Sequence, residues 1–414
     1  MAGSVVRIAI VGANQGVVGG AETYLAWLLA TLVTRGHDVA FAFEFAATDP
    51  ARALDRGIEP LVRWDLKTLN RGVFLEQLTA FQPDIVFLQG CHDQTLELEL
   101  APRFRAVMFA HAFYGTCATG WRVHRIPDRR ICTRRFGRAC LPLNFIRGCG
   151  ARNPVHLLSM YSDQRDRSNV VRQLAGVVVA SQYMRDLYVQ HGVPDGDVHV
   201  LPPPAEFAPD PFPPAARESR DRIIFLGRLI SSKGAVRAVQ AAGRCQRALG
   251  RPLHLTLAGE GPELARCQRV ASNLGVRTDF PGWVGREERL KLLRNADVLI
   301  VPSLWPEPFG MVGIEAASVG VPAVGYGVGG IVDWLRPGAS GELAEGTGFG
   351  PRPLADALER ALRSAEHHRK LQLGAWRMAH EFRGDRHVSR LEKLFYEICE
   401  IAPGFRHRDS ANHR

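Results

Sequence analysis

Two glutamates separated by seven residues, Glu307 and Glu315, carry the strongest chemical signal in the chain. They stand in the run Pro302-Ser303-Leu304-Trp305-Pro306-Glu307-Pro308-Phe309-Gly310-Met311-Val312-Gly313-Ile314-Glu315-Ala316. The first carboxylate belongs to a loop before a predicted helix. The amides of Phe309, Gly310, Met311 and Val312 lie at the helix start, and the second carboxylate is expected to face out later in the helix. Carboxylates accept hydrogen bonds from sugar hydroxyls, and unsatisfied amides at a helix start stabilise anionic oxygens. One short segment could therefore grip both ends of a nucleotide sugar. The apolar, small surroundings argue against two merely solvated charges. A second constellation, Gly227-Arg228-Leu229 with Lys233-Gly234, sets two cations just beyond a predicted strand and beside a helix start. That edge of an α/β sheet binds ligands, so the pair reads as a diphosphate cradle, with a solvated basic turn as the plain alternative. Gly259-Glu260-Gly261-Pro262 follows the next strand in the same way.

The elements that must position these residues form two successive α/β cycles. Val5 to Val11 predicts a strand, Gly12 to Gly20 a turn and Glu22 to Val33 a helix, the opening of a parallel α/β domain. Val39 to Phe43, Ile85 to Leu88, Ala106 to Phe109 and Val177 to Ala180 continue as short apolar strands, with helices near Phe74 to Ala80 and Gln182 to Gln190. Pro202-Pro203-Pro204, the proline-rich stretch Pro209 to Pro214 and the charged stretch Arg217 to Arg222 then mark a boundary. Strands at Arg222 to Leu226, Leu253 to Ala258, around Thr278, Val298 to Val301 and Val321 to Gly325 follow. They alternate with helices at Ala235 to Ala248, Leu264 to Leu274, Glu287 to Asn295 and Gly310 to Val319. Pro353 to Arg363, His367 to Phe382 and Val388 to Ile398 close the chain as helices before a polar tail. The expected fold class is α/β, with two Rossmann-like, doubly wound domains.

The chain has 414 residues, 46% hydrophobic and 23% charged, enough for two or three domains and unlike a disordered or fibrous sequence. No run reaches the 18 apolar residues of a membrane span, and the amino terminus lacks the pattern of a secretory signal, so a cytoplasmic location is expected. Of the 52 basic residues only five are lysine, and the net charge is +10. Arginine's fork suits phosphate and carboxylate. No zinc-finger, homeodomain or RNA-binding signature accompanies that charge, which disfavours nucleic acid as a partner.

Taken together, these separated motifs resemble the retaining glycosyltransferases of family 4, which have the GT-B fold of two domains facing across a cleft. The resemblance covers most of the chain. It implies that Glu307 holds hydroxyls of the transferred sugar and Glu315 the ribose diol. Arg228 and Lys233 would neutralise the leaving diphosphate. Gly19-Gly20-Ala21-Glu22 matches the family's amino-terminal glycine loop, so Gly19 and Gly20 would approach the diphosphate from the facing domain. Pro281-Gly282-Trp283-Val284 would lie against the nucleobase, with Gly259 and Glu260 beside the donor, and His111 would contact the donor sugar. Without the resemblance His111 reads as an ordinary loop histidine. The implied organisation is an acceptor-side domain over 1–208, a linker over 209–220, a nucleotide-sugar-binding domain over 221–385, and a segment 386–414 whose helix returns to the first domain. The donor would be a nucleoside-diphosphate sugar, most simply a UDP-sugar. The acceptor would be a glycan, a lipid-linked precursor or a small metabolite, and the anomeric configuration would be retained. No Asp-x-Asp motif stands at a strand end, so no catalytic divalent metal is expected.

The chain departs from the family in two places. Pro202-Pro203-Pro204 replaces a common Pro-Asn-Gly turn, which stiffens the junction. An insertion over 117–152 carries Cys117, Cys132, Cys140 and Cys149 among many arginines. Four thiolates could hold one structural zinc; disulfides and unpaired thiols are the alternatives, and a reducing cytoplasm disfavours disulfides. The insertion follows His111 directly and is expected to border the acceptor. Arg134, Arg135 and Arg138 with Phe136 and Phe145 could also meet a membrane surface as a peripheral contact. Other functions compatible with the motifs are a GT-B phosphorylase, a sugar-nucleotide epimerase and a noncatalytic sugar-nucleotide binding protein.

Overall fold

Short runs of consecutive apolar residues become strands buried on both faces, and glycine-marked turns hand each strand to a covering helix. In the computed structural model of the chain, all residues are described except 1–4, 18, 151, 206–208, 211–212, 217–219, 347 and 401–414. The polar tail from Pro403, and parts of the proline-rich and charged stretches before Arg222, thus lie outside the described residues. The first sheet is built from β1 (Arg7–Asn14), β2 (Asp38–Phe45), β3 (Val62–Asp65), β4 (Ile85–Leu88) and β5 (Ala106–Ala110). A two-stranded hairpin follows, β6 (Val123–His124) with β7 (Arg130–Ile131), and then β8 (Gly176–Val179) and β9 (Val198–Val200) complete the sheet in the order β3-β2-β1-β4-β5-β8-β9. The second sheet uses β10 (Arg222–Leu226), β11 (His254–Ala258), β12 (Arg277–Gly282), β13 (Val298–Val301), β14 (Ala323–Tyr326) and β15 (Gly341–Ala344). Its order is β12-β11-β10-β13-β14-β15, parallel throughout.

The chain divides into two compact units. One comprises 1–109, 173–178 and 388–414, and the other 110–172 and 179–387. The insertion and the segment 179–208 therefore group with the second unit. In the first unit the part of the final helix (Gly384–Glu400) from Val388 onward is fastened by Phe395 against Phe87 and by Glu392, whose carboxylate accepts from Arg35 at 2.8 Å and lies 3.0 Å from the His37 ring.

Local signals account for most boundaries. The helices Leu264–Leu274 and Gln182–Gln190 lie where the apolar spacing predicts them, and Arg286–Asn295 starts within one residue of its prediction. Strands β3 and β15 and the helix Gln94–Leu100 are additions to the elements expected from sequence. So is the helix Pro154–Val171, although Asn153-Pro154 announces it. The Asn153 Oδ1 accepts from the amides of Val155 and His156, and Pro154 occupies the first helical turn, where a missing N–H costs nothing.

The insertion, which lacks a clear period, is organised around a buried cation. Arg122, 2% exposed, donates to the carbonyls of Thr116 (2.6 Å), Cys132 (2.9 Å) and Arg134 (3.2 Å). Three loop strands thus converge on one planar fork, a geometry that a flexible ammonium could not reproduce. Arg122→Met should lower stability by about 2–4 kcal/mol, because three carbonyls lose buried donors. Chemical denaturation measures this; a loss below about 0.5 kcal/mol would show that the loop keeps its shape without the fork.

Candidate active site

The residues singled out beyond the carboxyl ends of β10, β11 and β13 are brought together in the second unit. The loop after β10 is tied to the loop after β11 by the amide of Gly227 donating to Ala258 O (3.0 Å) and that of Leu229 to Glu260 O (2.7 Å). It then presses against the segment after β13, where the Leu304 amide donates to Ser232 O at 2.7 Å. Gly234 permits this approach. Its φ is +73°, and a Cβ there would fall 2.0 Å from the Pro302 carbonyl oxygen.

That approach delivers Lys233 to Glu307. The ammonium donates to both carboxylate oxygens, at 2.8 and 3.0 Å, and the Ser303 hydroxyl and Trp305 indole N–H donate to Oε1 at 2.5 and 2.8 Å. Glu307 is 4% exposed and saturated with donors. The two residues expected to serve opposite ends of a donor, Lys233 the diphosphate and Glu307 the sugar, are therefore ion-paired with each other here. The Lys233 ammonium also stands 5.6 Å over the Trp305 ring, a cation–π contact, and Trp305 meets Phe113 and Trp121 edge to face. Ser303 and Trp305 are functional candidates beyond the Glu-x7-Glu pair. Their adjacency to Glu307 in sequence is the signal that could have found them.

Glu315 corrects one expectation. It does not face out: the helix Met311–Ser318 carries it inward to 5% exposure, with Oε2 3.5 Å from the Arg289 Nε. Burial pushes its carboxyl above the ordinary range, and Arg289 opposes that shift. The helix begins after Gly310, and Trp334 anchors its approach by donating from Nε1 to Phe309 O at 2.7 Å. Phe309 is buried, so of the segment Phe309–Val312 it is the backbone at the helix start that remains suited to an anion.

Arg228 is exposed in the β10 loop. Gly259 and Glu260 follow β11. The Gly259 amide donates to Gly282 O (2.7 Å), and the Glu260 Oε1 accepts from the Trp283 amide at 3.4 Å. Trp283 presents an exposed ring, with Val284 half-buried next to it. In the first unit, Gly19 and Gly20 are exposed at the start of the helix Gly20–Thr34, where the Glu22 carboxylate accepts from the Gly19 amide at 2.8 Å and from the Asn14 side-chain amide at 3.1 Å. A cavity of about 490 Å³ in that unit, lined by Val5, Arg7, Asp38, Gln82 and Asp84, lies at the amino ends of the strands, opposite the edge where α/β sheets bind ligands.

His111 follows β5 and retains some exposure, yet burial of its ring lowers its pKa to about 3. The native imidazole is thus neutral above that value, whereas the unfolded chain takes up a proton below about 6.5. The contribution of His111 is therefore a loss of stability as pH falls from about 6.5 towards 3. Denaturant midpoints measured between pH 7 and 4 should decline less steeply for His111→Asn than for the native chain; parallel curves would show that its ring is solvated.

The four cysteines expected as zinc ligands are near enough for Cys117, Cys132 and Cys140 to act electrostatically on Cys149. Among the described residues, no group of three or more His, Cys, Asp or Glu side chains could hold a metal ion. Cys149 Sγ turns to the His124 Nδ1 at 3.4 Å and to Leu143 O, Cys117 Sγ approaches Thr119 Oγ1 at 3.7 Å, and all four cysteines are free thiols. Burial and the neighbouring thiols push Cys149 up to about 11, and burial also raises Cys140. Cys91, Cys245, Cys267 and Cys399 likewise form no disulfide.

Residues 207–375 match the family of glycosyl transferases group 1. Over 147 residues the chain is 33% identical to the N-acetyl-alpha-D-glucosaminyl L-malate synthase of Bacillus anthracis, covering 35% of this chain and 37% of that protein. Over 188 residues it is 31% identical to the GDP-mannose-dependent alpha-(1-6)-phosphatidylinositol monomannoside mannosyltransferase of Mycolicibacterium smegmatis, covering 41% and 49%. The chain thus spans between about a third and a half of the length of these curated relatives. Among solved structures, Anabaena HepE in complex with UDP and glucose superposes with a TM-score of 0.68 at 16% identity, over 95% of this chain and 100% of that one. The sucrose-phosphate synthase of Thermosynechococcus elongatus superposes with a TM-score of 0.66 at 20% identity, over 96% and 100%. The chain has the GT-B fold of two Rossmann-like α/β domains and is related to the glycosyl transferases group 1 family, whose match lies over residues 207–375.

Proposed function

We propose that the chain is a retaining glycosyltransferase that moves a sugar from a nucleoside-diphosphate sugar, a UDP-sugar, to a glycan, lipid-linked or small-metabolite acceptor. The observation that carries this reading is the buried Glu307 carboxylate, fixed by Lys233, Ser303 and Trp305 beyond the carboxyl end of β13 and one turn before a helix start. A carboxylate so held is fixed where sugar hydroxyls can donate to it once Lys233, already beside it, exchanges part of that contact for a phosphate oxygen. Arg228 supplies a second cation, the helix start at Met311 supplies amides, Glu315 takes the ribose diol, and Trp283 with Val284 lies against the base. His111, neutral, contacts the sugar as a hydrogen-bonding group rather than a cation.

As the nucleoside diphosphate departs, positive charge grows on the anomeric carbon and negative charge on the phosphate oxygens. Lys233, Arg228 and the helix amides stabilise the second, and the acceptor enters on the face the leaving group vacates, which retains configuration. No helix among the described residues is long and apolar enough to cross a membrane. We place the reaction in the cytoplasm, with peripheral contact at the inner membrane face. Calorimetric titration with UDP-, GDP-, ADP- and dTDP-sugars tests the donor assignment. Binding of a UDP-sugar that weakens in Glu307→Ala is the expected result, and absence of binding across the panel would overturn it.

A further inference from the structure

Residues 117–158 contain nine arginines and a single carboxylate, Asp128, so this tenth of the chain carries a net +8 of the whole chain's +10. Two of those arginines are used internally: Arg122 is buried on loop carbonyls, and Arg129 donates to Ser231 Oγ at 3.0 Å. The other seven are exposed. The same segment holds a concentration of exposed large apolar side chains, among them Ile126 (51%), Phe145 (47%), Ile146 (63%), Val155 (76%) and Leu158 (56%).

Backbone contacts gather the centre of this set into one patch. The amides of Arg125 and Ile126 both donate to Arg147 O, at 2.8 and 3.1 Å, so the hairpin turn lies on the end of the helix Cys140–Arg147 that displays Phe145 and Ile146. The helix Pro154–Val171, whose first turns expose Val155 and Leu158, packs against that helix. Burial, and then the Arg147, Arg134 and Arg122 charges, hold the His124 imidazole of the hairpin below its ordinary pKa.

We infer that this insertion is a docking surface for an anionic phospholipid bilayer, with Ile126, Phe145 and Ile146 entering the headgroup boundary and Arg125 and Arg147 meeting lipid phosphates. Charge complementarity selects an anionic partner and disfavours a second copy of the same +8 surface. The aliphatic side chains select lipid over nucleic acid, since isoleucine offers no ring for a base to stack on, whereas branched apolar groups flanked by arginines suit the membrane interface. The inference stands apart from the transferase reading, because the patch shares no residue with the donor contacts proposed above.

Co-sedimentation of the full chain with vesicles of phosphatidylcholine, alone or with phosphatidylglycerol at about a third of the lipid, tests it. Binding should appear on the mixed vesicles, be at least about tenfold weaker on the neutral ones, and fall steeply in about 0.5 M salt. Phe145→Ser with Ile146→Ser should weaken binding by about tenfold or more while leaving UDP-sugar titration and the melting curve unchanged. Arg125→Gln with Arg147→Gln should weaken it and flatten the salt dependence. Absence of binding to the mixed vesicles, equal binding to both vesicle types, or binding indifferent to Phe145 and Ile146 would overturn the inference. So would tight binding of a single-stranded RNA probe that survives the serine changes. Vesicle binding without any UDP-sugar binding would leave it standing and count against the transferase reading alone.

Discussion

Glu307→Gln should lower sugar transfer by about 100- to 1,000-fold, more than it lowers donor affinity, because the lost charge is one preorganised before the sugar arrives. Four contacts from three donors converge on the carboxylate: Lys233 Nζ on both oxygens, Ser303 Oγ and Trp305 Nε1 on Oε1. A carboxamide offers one oxygen and one NH₂, so one side of the site turns donor against donor. Lys233, with 26% of its side chain exposed, also loses its counter-charge. A stability loss of about 2–4 kcal/mol should accompany the kinetic one, as expected for breaking a buried pair from one side. A cycle with Lys233→Met separates the two effects: the stability losses should be less than additive by about 1–3 kcal/mol. The transfer rate of the double variant should stay as low as that of Glu307→Gln. Undiminished turnover in Glu307→Gln would remove the carboxylate from the reaction.

Gly313→Ala should be strongly destabilising although it replaces glycine inside a helix, where alanine ordinarily gains about 1 kcal/mol. A Cβ at this position would lie 2.1, 2.3 and 2.4 Å from three atoms of the Trp334 ring. The ring cannot retreat: Trp334 is fully buried, and its indole N–H is committed to Phe309 O at 2.7 Å. Either the helix Met311–Ser318 shifts, carrying Glu315 with it, or the indole gives up its hydrogen bond. The expected cost is about 2–4 kcal/mol, seen as a melting temperature lower by about 5–15 °C, with UDP-sugar affinity reduced in parallel. Gly338→Ala is the matched control. Its φ of +67° imposes the left-handed penalty of about 1 kcal/mol, but nothing lies within 4 Å of the new methyl group. Equal losses in the two variants would show that Trp334 yields.

Much of this architecture is written locally. Strands β10, β11, β13 and β14 are largely apolar runs that end at a turn signal, and sheet order in a doubly wound unit follows from handed crossovers rather than from distant specificity. Lys233 and Glu307 were identifiable as site candidates because strand ends are where such sheets bind ligands. Their partnership was not, since it depends on Gly234 letting the loop after β10 come up against Pro302, a contact between segments some 70 positions apart in sequence.

The sequence by itself determined the element types, the identity of the chemical groups at the strand ends, and the concentration of arginine in the insertion, because periodicity, turn chemistry and charge are properties of neighbouring residues. Only the tertiary structure decided that Glu315 points inward to Arg289, that Lys233 is paired before any phosphate arrives, and that the insertion is held by Arg122. Those outcomes turn on which face of a helix is covered and which carbonyls converge on one guanidinium. Both are settled by packing between segments far apart in the chain, where local propensity carries no information.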